Sequence, residues 1–483
     1  MSLQESPSVA AVIVLAAGAG TRMKSSRSKL LHEVAGRSML SHAIDAAEGV
    51  APERLVVVVG HQRDQVTEHL ADIAPSVLVA VQENPNGTGD AVRSGLVPIP
   101  DVAGEVVVTM GDVPLLSGET LVRLVGEHRT HGNGVTILTT LLDDPTGYGR
   151  IVRDDDGQVS RIVEQKDCTP EQAGIKEINA GIYVFDAGVL QAGLAQLTTS
   201  NAQGELYLTD VVAYARASGR GVSTRVLDDR WQAEGVNDRV QLAAIDAEYN
   251  RRTIERWQRA GVTVIDPGST WIHDGVDLAP DVTILPGTSL EGATTIGEGA
   301  TIGPDTTLRD AEVGAGATII RSHVVLAVIG AGASVGPFAA LRPGTELGER
   351  GKIGTFVETK NARIGDGAKV PHLTYCGDAV VGEGTNIGAG TVFANYDGVH
   401  KSTTTVGAHS FVGSNATLVA PVTVADGAYV AAGSTVTDDV GPGELAVARG
   451  RQRNVPGWVE SRRADTMTWA AARSALEGEG KPQ

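Results

Sequence analysis

The chain has 483 residues, long enough for two or three domains that each bury their own core. Its formal net charge of −18 sets aside a nucleic-acid backbone or an anionic membrane as partner, since both need a dense positive field. Two cysteines, Cys168 and Cys376, are too few for a disulfide framework or a cysteine-rich zinc site, and read as small buried hydrophobes of a cytoplasmic protein.

The opening MSLQESPSVA is neither basic nor followed by a cleavable apolar stretch, and no run approaches the ~20 apolar residues of a membrane span. From about residue 10 to 236, β runs (AVIVLAAG, RLVVVVGH, VLVAVQE, EVVVTMGD, GVTILTTLL) alternate with amphipathic stretches such as SMLSHAIDAAE and ETLVRLVGEHR. Strand then helix, repeated, predicts an α/β domain whose parallel sheet is covered on both faces. Ligands of such sheets bind beyond the carboxyl ends of the strands, where GAGTR and GD each follow a β run directly. The glycine turn at Gly18 and Gly20 matches neither familiar nucleotide cradle. Met23 stands where a dinucleotide fingerprint has its third glycine, and no Gly-Lys-Ser/Thr follows.

Around residue 237 the pattern changes. Asn237 or Asp238 supplies a cap, Gln241 follows, and Gly261 closes a long connecting helix, giving a linker over 237–262. From Ile272, aliphatics then recur at every sixth position through Leu278, Ile284, Leu290, Ile296, Ile302 and Leu308, and again from Val406 to Val436. A period of six is the signature of a parallel β-helix, here assigned to 263–455, with a partly helical tail over 456–483 ending in disorder. The period does not fix the hand. Its largest interruption, between Ile387 and Val406, expels FANYDGVHKSTTT as a surface loop of the kind that carries binding.

LAAGAGTRM with Lys29, QENPNGTGDAV and VVVTMGDVPLL resemble the sugar-phosphate nucleotidyltransferases over residues 1–236. With PHLTYCGDA, NIGAGTVFANYDG and the six-residue array added, the whole chain resembles the bacterial bifunctional GlmU family, which joins an N-acetylglucosamine-1-phosphate uridyltransferase to a glucosamine-1-phosphate acetyltransferase. The resemblance implies a Rossmann-like nucleotidyltransferase domain, the linker helix and a left-handed β-helix that forms a homotrimer, with acetyltransferase sites between subunits. It implies Mg²⁺, UTP and acetyl-CoA as cofactor and co-substrates.

For uridylyl transfer, glycines let the backbone approach a triphosphate and aim amides at its oxygens, while Arg22 and Lys29 add charge for the departing pyrophosphate. The resemblance places UTP against Leu15, Ala16, Gly18, Gln82, Gly87 and Thr88, and the sugar phosphate near Gly149, Glu164, Asn179 and Asn237. Asp112 ends a strand where a hard carboxylate suits Mg²⁺; Asn237 is either the second metal ligand or the cap of the helix. Ser28 stands where relatives usually have proline, which implies a looser loop.

Acetyl transfer requires a neutral amine, and an imidazole, titrating near ~6.5, is a suitable base. The resemblance makes His372 that base and Glu358 its electrostatic partner, with Arg342, Lys360, Tyr375, Asn386 and Lys401 around the sugar phosphate. Ala389, Asn395, Tyr396, Ser414, Ala432 and Arg449 are assigned to acetyl-CoA. Two rival readings are a monofunctional nucleotidyltransferase with a regulatory or oligomerising β-helix, and a scaffold without chemistry. Intact His372, Lys360 and Arg342 oppose the first, and intact Arg22, Lys29 and Asp112 the second.

Overall fold

The computed structural model describes residues 8–478, so the disordered chain end expected of the tail lies outside the described residues. The chain divides into two compact units, residues 1–311 and 312–483. In the first, seven strands form the path of a sheet: β1 (Ala11–Ala16), β2 (Leu55–Val59), β3 (Leu78–Val81), β4 (Glu105–Met110), β5 (Val135–Leu141), β6 (Glu177–Asp186) and β7 (Val222–Leu227). Their spatial order is β7-β5-β6-β4-β1-β2-β3, and a hairpin, Arg150–Arg153 with Val159–Val163, joins beside β6. The expected parallel sheet is corrected to a mixed one, because β6 runs antiparallel to both β4 and β5. Successive residues of β1 face different cores: Val12 and Val14 pack with Leu40 and Leu121, whereas Ile13 and Leu15 pack with Val92 and Leu190. Burial on both faces is what turns the strand sequences into near-continuous Val/Ile runs.

His42 and His128 are buried beside this sheet. Burial lowers the pKa of both His42 and His128, whose rings meet Val34 O and Thr136 Oγ1. Unfolded imidazoles titrate near ~6.5, so below that pH the unfolded chain takes up protons that the folded one refuses. The folded pKa values are depressed; the first unit is therefore expected to keep its stability above about pH 6.5 and lose it as pH falls through the lowered values. Thermal melting between pH 7.5 and 5.5 checks this, and a midpoint that does not fall on acidification contradicts it.

The linker helix runs Arg239–Arg259, and Asp238 is its cap, its Oδ1 accepting the Val240 and Gln241 amides at 2.9 Å each. The hairpin Glu33–Ser38 ties the α/β half to the linker helix and to the first coil after it. The Ala35 amide donates to Asp246 Oδ1 on the linker helix, Ala35 O accepts the Asp274 amide, and Arg37 bridges Asp45 and Asp274. At the hairpin tip Gly36 has φ +79°, and a Cβ there would lie 2.1 Å from the His273 ring.

Both units carry coils of the left-handed parallel β-helix. In the first, Trp271 pairs with Ser289 and Ser289 with Thr307; in the second, Ser334 pairs with Lys352 and Phe411 with Tyr429. Each pairing spans 18 residues, which is three hexads per coil. The expected aliphatics point inward: Ile284, Leu290, Ile302, Val412, Val424 and Val430 are all buried. Cys376 is buried among them and its thiol is pushed up to about 12 by that burial. Cys168, expected to be buried, is only half-buried, lying in a loop where its Sγ meets Glu164 O at 3.4 Å. The tail forms short helices Trp458–Arg463 and Met467–Gly478.

Candidate functional site

In the first unit, strand ends and the turns after them enclose a cleft of about 690 Å³. Leu15, Ala16, Gly18, Gln82, Gly87 and Thr88 line it, together with Lys29, Asp112 and Asn237. An adjoining cleft of about 360 Å³ shares Leu15, Thr88, Asp112 and Asn237 and adds Arg22, Gly149, Glu164 and Asn179. Every residue expected around the nucleotide and its sugar partner thus borders one continuous pair of clefts, although they come from widely separated segments of sequence.

Local structure explains the placements. Gly20 has φ +60°, and a Cβ there would sit 2.7 Å from the Lys29 Cβ, so only glycine lets the turn press against the lysine. The Lys29 ammonium makes a short hydrogen-bonded ion pair with Asp112 Oδ2. Ser28 has φ −53°, a value suited to proline, and its amide donates to Gln65 Oε1 at 2.9 Å. Serine here makes a hydrogen bond that proline cannot make, at a φ that proline would also adopt. Because Asp238 caps the linker helix and the Asn237 amide is taken by Gln241 Oε1 (2.7 Å), the Asn237 side chain is left to face the clefts.

Gln82 is buried, and its Nε2 donates to Gly87 O (3.1 Å) and Asp90 Oδ2 (3.0 Å). Asn179 Nδ2 donates to the Tyr183 hydroxyl at 2.6 Å. Burial raises the Glu164 carboxyl pKa, with Thr209 its hydroxyl partner at 3.3 Å. Tyr148, also in the second cleft, is pushed up to about 12 by burial and by Glu234.

The second unit assembles a separate constellation. Arg342 Nη1 donates to Glu358 Oε1 at 2.8 Å, which holds the carboxylate on the arginine. Glu358 lies level with Tyr375 on the next coil. Asn395 Nδ2 reaches both the Tyr375 hydroxyl (3.4 Å) and Asp378 Oδ2 (2.5 Å). Lys401, and then Arg342, hold the Lys360 ammonium below the usual lysine range. The expelled loop is a hairpin in which Tyr396 bridges to Lys401. Asp397 Oδ1 accepts the Val399 and His400 amides at 2.7 Å each, closing its turn.

His372 is exposed at the end of the strand Lys369–His372. The Gly390 amide donates to His372 O (3.1 Å), the Asn415 amide to Ala389 O (2.7 Å) and the Gly433 amide to Ser414 O (2.9 Å). These bonds stack His372, Ala389, Ser414 and Ala432 one per coil in a single column. Asn386 lies on the strand leading to Ala389, and Ala446 pairs with Val430, which sets Arg449 just past the next level.

Two structural contributors escaped the sequence reading. Arg150 is buried and its guanidinium donates to Tyr148 O and to Gln165 Oε1 (2.7 Å), fastening the loop that presents Gly149. Asp378 receives Asn361 (2.7 Å) and Asn395. Burial pushes its carboxyl up, but those hydrogen bonds and the nearby Lys401 and Lys360 charges bring it below the usual range. The signal was a charged residue placed within a strand, Arg150 opening RIVR or Asp378 within YCGDAVV.

Comparison with known proteins bears on both units. A family model described as Nucleotidyl transferase matches residues 11–238. "Bifunctional protein GlmU" of Kineococcus radiotolerans is 57% identical over 467 residues, 96% of this chain and 95% of the relative. The proteins of the same name from Rhodococcus opacus and Corynebacterium aurimucosum are 56% and 54% identical over 477 residues each, covering 97% and 98% of this chain and 95% and 98% of theirs. Matches of this length run through the glycine turn, the linker helix and the stacked coils alike, and the chain belongs to the bifunctional GlmU family.

Proposed function

We propose that the chain catalyses two consecutive steps: acetyl transfer from acetyl-CoA to glucosamine 1-phosphate, then uridylyl transfer from UTP to N-acetylglucosamine 1-phosphate with release of pyrophosphate. Residues 1–236 carry the second step, 263–455 the first, and 237–262 link them; the enzyme works in the cytoplasm. The observation that carries this reading is the presence of two separate constellations, the paired clefts and the His372 column, in a single chain. Among the described residues no helix is long and apolar enough to cross a membrane, which suits soluble substrates.

In uridylyl transfer the sugar-phosphate oxygen attacks the α-phosphorus in line, and no covalent enzyme intermediate is needed. Both Nε2 hydrogens of Gln82 are spent on Gly87 and Asp90, so Oε1 remains to address the base, and an acceptor there reads the uracil N3–H. Arg22 and Lys29 meet the charge that develops on the leaving pyrophosphate. Asp112 and Asn237 present hard oxygen donors in one cleft, and among the described residues no cluster of three or more His, Cys, Asp or Glu could form an all-protein cage. That donor set fits Mg²⁺, which keeps waters and phosphate oxygens as its other ligands. When bound, it supplies positive charge against the triphosphate oxygens.

In acetyl transfer His372 takes a proton from the sugar amine, the amine nitrogen attacks the thioester carbonyl, and the proton passes to the departing thiolate. Strand spacing of ~4.8 Å makes the column from His372 to Ala432 about 14 Å long. Its small side chains at Ala389, Ser414 and Ala432 leave a groove for the pantetheine arm, with Arg449 at the far end for phosphate. Arg342, Lys360 and Lys401 receive the sugar phosphate.

The active form is a homotrimer with acetyltransferase sites between copies. Support comes from the corner beside the column, where Phe338, Phe356 and Leu373 are 53%, 58% and 63% exposed and the two phenyl rings stack at 5.4 Å. Phe356→Asp is expected to yield monomers in sedimentation velocity and to lower acetyl transfer at least tenfold, with uridylyl transfer unchanged. A coupled assay with glucosamine 1-phosphate, acetyl-CoA, UTP and Mg²⁺, following thiol and pyrophosphate separately, tests the whole reading. Pyrophosphate release without thiol release would favour the monofunctional alternative.

A further inference from the structure

The Lys29–Asp112 pair places a positive charge on the very carboxylate assigned to the metal. Lys29 Nζ contacts Asp112 Oδ2 directly, and the two side chains keep only 11% and 15% of their surface exposed, so the attraction is little screened by water. Both residues line the larger cleft with Asn237, which is neutral and offers no competing charge. The lysine backbone is not free to move away. It opens a tight turn, Lys29–Leu31, whose leading amide at Ser28 is held by Gln65, and its Cβ lies against Gly20. Only the flexible four-carbon stem can carry the ammonium elsewhere.

We propose that Lys29 acts as an internal stand-in for the divalent cation, keeping Asp112 neutralised until a triphosphate arrives. The inference rests on the reading of Asp112 as a metal ligand. A divalent ion entering alone has to displace the ammonium and leave it unpaired beside a like charge, on side chains with little surface exposed to screening water. A nucleoside triphosphate changes this balance, because its oxygens offer the ammonium a second anionic partner within reach of the same stem. Lys29 then passes from carboxylate to phosphate, and Asp112 becomes available for the ion. Metal and nucleotide binding are thereby coupled, and the coupling is reciprocal. Lys29 is a positioning residue in this role, distinct from its part in meeting the pyrophosphate charge.

The test is Mn²⁺ binding to the nucleotide-free protein, read from the electron paramagnetic resonance of the free ion, for the wild-type chain, Lys29→Met, Lys29→Ala and each lysine variant combined with Asp112→Asn. Removing the ammonium is expected to tighten Mn²⁺ binding at least tenfold, the opposite of what loss of a merely structural lysine would do, and Asp112→Asn is expected to abolish that gain. Lys29→Met preserves most of the buried stem, and Lys29→Ala decides the matter if the methionine does not fold. Binding equal to or weaker than wild type in a folded lysine variant overturns the proposal while leaving Asp112 as a ligand untouched. A gain that survives Asp112→Asn overturns it differently, by removing Asp112 from the metal site altogether.

Discussion

Asp112→Ala is expected to lower uridylyl transfer by about 10³-fold or more, the scale seen when a preorganised electrostatic group is removed from a transition state, about 4 kcal/mol. Asp112 lies in the first turn after β4, its backbone O accepting the Val236 amide at 2.9 Å, so it fixes both the loop and the start of the linker segment. The backbone contact survives the substitution; what disappears is the carboxylate and, with it, the partner of Lys29. Acetyl transfer should be unaffected, since every residue assigned to it lies in 312–483, beyond the first unit. The check is pyrophosphate release from UTP and N-acetylglucosamine 1-phosphate alongside thiol release from acetyl-CoA and glucosamine 1-phosphate. A folded variant that loses both activities contradicts the assignment.

His372→Ala is expected to produce the converse: thiol release falls by about 10²- to 10⁴-fold, the usual contribution of a positioned base, and UDP-sugar formation is retained. His372 is exposed at a strand end and its main chain is held by the Gly390 amide, so truncating the ring leaves the coil intact. Thermal melting of the variant should match the parent chain. Near-normal thiol release would remove His372 from the mechanism.

The two halves of the fold were legible for different reasons. Strand runs such as AVIVLA and EVVVTM are apolar at every position because both sheet faces are covered, and the six-residue ruler is written by the three inward-facing aliphatics of each coil. The reversed direction of β6 left no such mark, since an antiparallel strand inside a covered sheet is as apolar as its parallel neighbours. In the first site the residues to find were visible, but two local questions were not. Asn237 and Asp238 are both good caps, and only geometry shows which one takes the helix amides. Ser28 differs from proline chemically, yet φ and a hydrogen bond give it the same backbone.

The second site was harder because its members meet across coils. His372 and Ala389 are 17 residues apart, Ala389 and Ser414 25, and Ser414 and Ala432 18; the expelled hairpin accounts for the long interval. Counting in eighteens loses the column at that hairpin. Glu358 shows the same reach across coils: its hydrogen-bond partner is Arg342, which is 16 residues earlier.

The Glu33–Ser38 hairpin has a practical bearing on dissection of the protein. A shortened chain ending at residue 236 would strip the Ala35 amide of Asp246, deprive Arg37 of Asp274, and uncover the faces of Gly36 and Met39 that the later segments shelter. Because the same hairpin comes directly after the Lys29 turn, damage there would reach the triphosphate pocket without touching any residue in it. The natural place to sever the polypeptide is therefore past Asp274, leaving the linker helix and the opening rung of the prism attached as a buttress.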